Sequence, residues 1–192
     1  MKTINKKRVI LIGCLCILML LVGIMCITGT SYQQTAFAAE DESSPDFVYT
    51  LIANENGEQE YKVALDATER PTVEKIIIPD TWNGLPVTEI ADGGFMSCAK
   101  LKTVILPTYI RKIGKNAFAN NASLQRVNLS RVKNIEANAF AMCPLLDKLF
   151  IPNSVENVGA TILRNNAKSI YVQNSLNDVQ TKWNANWSAN RT

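Results

Sequence analysis

The chain has 192 residues, with 20 Lys and Arg, 17 Asp and Glu and no histidine. This length suits one domain behind a targeting segment. Without an imidazole there is no Ser-His-Asp or Cys-His nucleophile and no His-ligated zinc, haem or copper, because each needs that nitrogen as base or ligand. No phosphate loop, dinucleotide fingerprint or calcium loop is present in the sequence. We therefore expect a protein that is not an enzyme and binds no metal or cofactor.

Residues 1–38 read as a signal peptide. Four cations within the first eight residues precede an apolar run from Val9 to Ile27, and Ala36 and Ala38 then have the spacing of a signal peptidase site. We expect cleavage after Ala38 and a secreted or cell-surface protein. An uncleaved anchor is the alternative, since the run nearly spans a hydrocarbon core of about 30 Å. In either case only this segment is expected to meet a membrane.

Residues 39–46 form an acidic linker, and residues 47–72 read as a β-hairpin. The hairpin turns at Asn54 to Gly57 and places Phe47, Tyr49 and Leu51 on one face. An array of repeats exposes strand edges at its ends, so we expect this hairpin to cap the array that follows.

Residues 73–172 contain a repeat of 22 or 23 residues, in which three apolar columns stay in step. The columns are Phe95, Phe118, Phe140 and Leu163; Ile90, Ile113, Ile135 and Val158; and Val87, Ile110, Val132 and Val155. This period predicts a repeat solenoid of the leucine-rich repeat class. Short parallel β-strands should stack into a curved sheet, with irregular return segments. Val104 and Leu106 should point inward, and Thr103 and Ile105 outward.

Residues 173–192 read as a C-terminal cap helix followed by a polar tail. Asn174 and Ser175 are capping residues, and apolar residues follow them at helical spacing. These apolar residues are Leu176, Val179, Trp183 and Trp187.

A polar column lies three residues beyond the aromatic one, at Cys98, Asn121, Cys143 and Asn166. A small buried polar group can satisfy the backbone of a turn there. Cys98 and Cys143 are two repeats apart, about 10 Å between Cα atoms, which exceeds the disulfide limit of about 7 Å. Both should stay reduced. A reactive cysteine is the functional alternative, although no His or Cys-x-x-Cys is available to activate one.

The repeat resembles the BspA-type leucine-rich repeat of bacterial surface proteins. The pattern L-x-x-V-x-L-P-x-x-I-x-x-I-G-x-x-A-F carries the resemblance and is clearest from Leu101 to Phe118. Three residues depart from the pattern. Ser130 replaces the Pro that ends the strand, Glu136 replaces the Gly, and Leu163 replaces the Phe. The resemblance implies an exported, non-enzymatic bacterial protein that binds other proteins, with adhesion as one such role.

Outward strand positions form two columns on the open face of the predicted sheet. They are Lys75, Thr103, Arg126, Lys148 and Ser169 in one column, and Ile77, Ile105, Asn128, Phe150 and Tyr171 in the other. Apolar side chains beside cations are typical of a contact surface, although high strand propensity explains the same residues. We expect this face to bind an extracellular protein or a polyanionic glycan, and not nucleic acid.

Charge is segregated along the chain. The first 38 residues hold four cations and no anions, so the remainder carries a net charge of −1, with −10 in residues 39–97 and +7 in residues 98–148. Such fields steer a charged partner or favour self-contact, although solvated faces explain them too. Two other functions stay open. One is a glycan-binding protein or enzyme with Trp82, Trp183 and Trp187 as stacking platforms, and the other is a structural spacer without a specific ligand.

Overall fold

The computed structural model describes residues 45–164, 169–174, 179 and 182–187. The signal peptide and most of the linker predicted above lie outside the described residues. Within the described part, no helix is long and apolar enough to cross a membrane.

The described residues form short β-strands throughout. In chain order they are β1 Phe47–Ala53, β2 Gln59–Leu65, β3 Lys75–Ile77, β4 Thr81–Trp82, β5 Leu85–Ile90, β6 Thr103–Ile105, β7 Lys112–Ile113, β8 Arg126–Val127, β9 Asn134–Ile135, β10 Lys148–Ile151, β11 Asn157–Val158 and β12 Ser169–Val172.

Strands of neighbouring repeats pair in parallel, which confirms the predicted β-solenoid. The predicted strands are present as β3, β6, β8, β10 and β12, here called the front strands. They pair as β3-β6-β8 and as β10-β12. The return segments were predicted to be irregular. This prediction is wrong, because they carry a second set of strands. These form the back sheet, in the order β1-β2-β5-β7-β9-β11, with β4 antiparallel to β5.

The back sheet arises because each return segment presents one inward apolar residue at the same register. Ile90 pairs with Ile113, and Ile113 with Ile135, in parallel. Most of these strands are two residues long, so each has little alternation of its own. Ladder bonds between repeats stabilise them, for example Gly114 N–H to Ile90 O at 3.0 Å.

A stack of aromatic rings fills the core between repeats. The ring centroids of Phe95 and Phe118 are 5.4 Å apart at 10°, and those of Phe118 and Phe140 are 5.5 Å apart at 3°. Leu163 is fully buried in the same core. The predicted aromatic column is therefore confirmed. Val104 is buried as predicted, whereas Leu106 is half-buried.

The turn that carries each aromatic residue is bonded to the turn of the next repeat, and we call this series the turn ladder. Phe95 N–H donates to Ala117 O at 2.8 Å, and Phe118 N–H donates to Ala139 O at 2.8 Å. Each turn contains residues with positive φ, which favours Gly and Asn. These residues are Gly93, Ser97, Asn116, Asn120, Asn138, Met142 and Thr161.

The predicted hairpin is present as β1 and β2. Phe47 pairs with Leu65 and Ala53 with Gln59, and Asn54 closes the turn by accepting from Glu58 N–H at 3.0 Å. β2 joins the back sheet by parallel pairing with β5, so β1 is an end strand of that sheet. The role of the hairpin as a cap stays a prediction.

The predicted cap helix over residues 173–192 is not supported as an element, since Val179 and Lys182 are the only described residues of this segment with helical backbone. Instead, the described part of this segment continues the turn ladder. Thr161 N–H donates to Asn186 O at 2.9 Å, and Ile162 N–H donates to Trp187 O at 3.1 Å. This backbone pairing with the preceding repeat is not predicted by the helical spacing of the apolar residues.

Candidate binding face

The front strands bring the predicted outward residues together in two columns. Lys75 is opposite Thr103, and Thr103 is opposite Arg126. Lys148 is opposite Ser169 in the β10-β12 pair. The second column follows the same register, with Ile77 opposite Ile105 and Phe150 opposite Tyr171.

The second column exposes large apolar side chains. Ile77 is 52% exposed, Ile105 45%, Phe150 54% and Tyr171 53%. Their strand neighbours, such as Leu149, are buried because successive side chains alternate between the core and solvent. Asn128, in the middle of the column, is also exposed. The geometry therefore creates an apolar row interrupted by one amide.

The face is divided between β8 and β10, which the sequence analysis did not predict. These two strands are neighbours but do not pair with each other. A groove of ≈ 260 Å³ lies between the repeats of β6 and β8, lined by Ile105, Asn128 and Arg131 among others. Pro107 and Ser130, which occupy the same repeat position, both line it.

Several cations outside the face form ion pairs with carboxylates of other repeats or of the hairpin. Lys102 pairs with Glu74 at 2.8 Å, Lys112 with Glu136 at 3.6 Å, and Lys133 with Glu156 at 3.1 Å. The hydrogen bond from Lys102 holds the pKa of Glu74 below its usual value. Arg111 pairs with Glu60 of the hairpin, whose carboxylate is buried.

The cations of the face differ from these. Lys75, Arg126 and Lys148 are exposed and have no ion-pair partner among the described residues. Folding therefore pairs four of the nine cations in residues 98–148 with carboxylates of the described residues, and Arg126 and Lys148 of the face are among those left available to a partner.

A family model settles the class of the repeat. It describes a BspA-type leucine-rich repeat region in six copies and matches residues 68–189, which is more than half of the chain. The chain belongs to the BspA-type leucine-rich repeat family. The matched range extends past residue 172 into the segment where the cap helix was predicted, in agreement with the continued turn ladder.

Solved structures with similar folds come from bacterial leucine-rich repeat proteins. One from Bacteroides capillosus ATCC 29799 is 27% identical, with 66% of this chain and 94% of that chain covered and a TM-score of 0.55. One from T. pallidum is 20% identical, with 62% and 67% covered and a TM-score of 0.46. A leucine-rich cell surface protein from Faecalibacterium prausnitzii A2-165 is 21% identical, with 78% and 43% covered and a TM-score of 0.47. No curated protein matches the chain.

The polar column of this BspA-type array has structural contacts. Asn121 is buried, accepts from Cys98 N–H at 2.7 Å and donates to Phe95 O at 3.0 Å. The Cys143 thiol donates to Phe118 O at 3.1 Å. Both cysteines are free, as predicted. Burial raises the pKa of Cys98 to about 11 and that of Cys143 to about 12, so neither thiol is activated. Asn166 lies outside the described residues.

The three tryptophans proposed above as glycan platforms contact other aromatic side chains. Trp82 stacks on Tyr49 with ring centroids 4.3 Å apart. Trp183 is buried and packs edge-on against Trp187, 5.1 Å away. These contacts favour packing roles. Within the described part of the chain, no group of three or more His, Cys, Asp or Glu residues could hold a metal ion.

Proposed function

We propose that this chain is an exported, non-catalytic recognition protein that binds a protein partner through the face of its front strands. The observation that carries the proposal is the pairing of an exposed apolar row with cations that have no ion-pair partner among the described residues. Burial of apolar area supplies affinity, and charges without intramolecular partners supply specificity and a faster association rate. Membership of a family of bacterial surface proteins supports a location outside the cell.

Aliphatic side chains favour a protein over a polyanionic glycan as the partner. Ile77 and Ile105 offer apolar area that a hydrophilic polyanion cannot cover well, whereas Arg126 and Lys148 alone would suit either class. The face therefore fits a partner that has both apolar and acidic side chains.

Binding of the purified full-length chain to an array of extracellular-matrix proteins and bacterial glycans tests this function. A face variant combines Arg126→Ala, Lys148→Ala, Phe150→Ser and Tyr171→Ser. A control variant carries Lys133→Ala and Asn157→Ala, which change exposed residues next to β9 and in β11 of the back sheet. We expect a protein ligand that the wild type and the control retain and that the face variant loses while its circular dichroism is unchanged.

Equal binding by all three proteins would place the site elsewhere and overturn the proposal. Absence of any ligand would favour a structural spacer. A glycan ligand lost only by the face variant would keep the face but change the class of partner.

Export is tested by sequencing the amino terminus of the chain recovered from its native cell. A chain outside the cell that begins at Ala39 supports cleavage after Ala38. An intact amino terminus in the membrane fraction supports the uncleaved anchor, and a chain confined to the cytoplasm contradicts export.

A further inference from the structure

We propose that the partner presents an amphipathic α-helix, with an acidic row beside an apolar row, which lies along the stack of front strands. This inference rests on the proposed function, and it adds the chemistry and the geometry of the bound segment.

Charge complementarity indicates the acidic row. The first column supplies the cations Lys75, Arg126 and Lys148. Thr103 lies opposite both Lys75 and Arg126, and Ser169 lies opposite Lys148. These two residues add hydroxyl groups and no negative charge. Facing carboxylates would therefore meet cations or hydroxyls at every strand of this column. A basic partner would be repelled.

The apolar row follows from the second column. Ile77, Ile105, Phe150 and Tyr171 lie two residues along the strand from the first column and on the same side. The two columns are therefore about 7 Å apart. Two side-chain rows on adjacent sides of a helix about 10 Å in diameter are separated by about 7 to 8 Å. An acidic row and an apolar row on one helix would thus face both columns at once.

The spacing of the strands favours a helix over an extended segment. Paired strands are about 4.8 Å apart, and β8 and β10 are not paired, so the face measures about 19 Å or more from β3 to β12. Along a helix, residues three and four apart are separated by about 4.5 and 6.0 Å, which follows this step closely. Same-side residues of an extended chain are about 6.7 Å apart and would lose register by the third strand. A helix of about 13 residues covers the whole face.

Fluorescence anisotropy with designed peptides and the full-length chain tests the inference. The first peptide has about 15 residues, a row of Leu and an adjacent row of Glu, and is helical by circular dichroism. In a second peptide Lys replaces each Glu, and a third has the composition of the first with two central prolines that prevent a helix. We expect the first peptide to bind at least about tenfold more tightly than either of the others.

Two pairs of charge substitutions locate the binding. Arg126→Gln with Lys148→Gln should weaken binding of the first peptide about tenfold, because these cations lie in the first column. Lys102→Gln with Lys133→Gln should leave it unchanged, because these cations are exposed but pair with Glu74 and Glu156. All four positions are on the surface, so both variants should fold.

Each contrary result has a separate meaning. Equal binding of the Lys peptide would overturn the acidic row, and equal binding of the proline peptide would overturn the helix. If no peptide binds while heparin does, and the Arg126→Gln, Lys148→Gln variant loses it, the face binds a polyanion and the helix is wrong. The proposed function itself fails if the face variant keeps every ligand of the array or if the array yields no ligand, and neither result depends on the peptides.

Discussion

Asn121 shows how one side chain joins two repeats. Its carboxamide accepts from the backbone of Cys98 and donates to the backbone of Phe95, and all of these atoms are buried. Cys143 occupies the same column one repeat later and supplies only a thiol donor, to Phe118 O. Asn121 can both donate and accept at this position, whereas the thiols of the column act as donors, that of Cys143 also lying 3.6 Å from Ala141 O and that of Cys98 3.9 Å from Met96 O.

Replacement of Asn121 should measure this difference. Asn121→Ala leaves a buried N–H and a buried C=O without partners, and we expect the free energy of unfolding to fall by about 2 to 4 kcal/mol. Asn121→Cys should lose about half as much, because a thiol can still donate to Phe95 O as Cys143 does to Phe118 O. Urea denaturation followed by circular dichroism measures both. Equal stability of the two variants would contradict the assigned roles.

The buried thiols predict a pH dependence. The pKa of an unperturbed thiol is 9.0, against about 11 for Cys98 and about 12 for Cys143 in the folded chain. Because the folded pKa is raised, this contribution to stability is complete below pH 9 and is lost as the pH rises toward the folded values. At pH 9 iodoacetamide should label Cys98 and Cys143 quickly in the unfolded chain and slowly in the native chain, as measured by mass spectrometry of the peptides that contain them. Rapid labelling of either residue in the native chain would show that its thiol is accessible.

At the scale of elements, sequence periodicity predicted the front strands but not the back sheet. A strand such as Thr103–Ile105 alternates between core and solvent, and this alternation is visible in one repeat. A two-residue strand such as Lys112–Ile113 is too short to show such a pattern. It forms because the equivalent residues of the neighbouring repeats pair with it in register. The information for the back sheet therefore lies in the columns and not in any single segment.

The ion pair between Arg111 and Glu60 of the hairpin should stabilise the fold more than the exposed ion pairs do. Arg111→Ala leaves the buried Glu60 carboxylate without its cation, and we expect the free energy of unfolding to fall by about 2 kcal/mol or more. Lys133→Ala breaks an exposed pair with Glu156 and should change it by less than about 0.5 kcal/mol. Chemical denaturation at pH 7 compares the two. Similar losses of unfolding free energy in the two variants would mean that the burial of Glu60 does not increase the contribution of its ion pair to stability.

The candidate face was predictable because outward columns follow from strand alternation alone. Residues such as Ile105 and Phe150 are exposed as expected. Two features were not predictable. The lack of pairing between β8 and β10 depends on three-dimensional register, and the lack of an ion-pair partner for Arg126 among the described residues depends on where carboxylates of other repeats lie. Neither feature can be inferred from how far apart the residues lie in the sequence.

For the whole molecule, contacts between adjacent repeats make stability depend on the continuity of the core. Phe118 contacts both Phe95 and Phe140, so its loss interrupts the aromatic stack in the middle. Solenoids unfold as one unit only while the interfaces between neighbouring repeats are strong.

Phe118→Ala should therefore lower the free energy of unfolding by about 3 to 5 kcal/mol and uncouple the two ends. Trp82 reports on the amino-terminal end, and Trp183 with Trp187 on the other. Replacing Trp82, or Trp183 and Trp187 together, by Phe leaves fluorescence from one end only. Urea titrations of these two backgrounds should give one common midpoint while Phe118 is present and two different midpoints once Phe118→Ala is added. A common midpoint after Phe118→Ala would show that coupling does not pass through the stack.

All the N–H groups of the turn ladder point toward the following repeat, as those of Phe95 and Phe118 do. The dipoles of these peptide groups therefore add head to tail, as they do along an α-helix. The negative, carbonyl end lies at the first turn, where the guanidinium of Arg70 donates to Met96 O and Gly93 O. The ladder continues at its other end, where Thr161 N–H and Ile162 N–H donate to Asn186 O and Trp187 O. The turn ladder thus has an electrical direction set by its backbone, with a cation matched to its carbonyl end, whereas back-sheet bonds such as Gly114 N–H to Ile90 O point the opposite way.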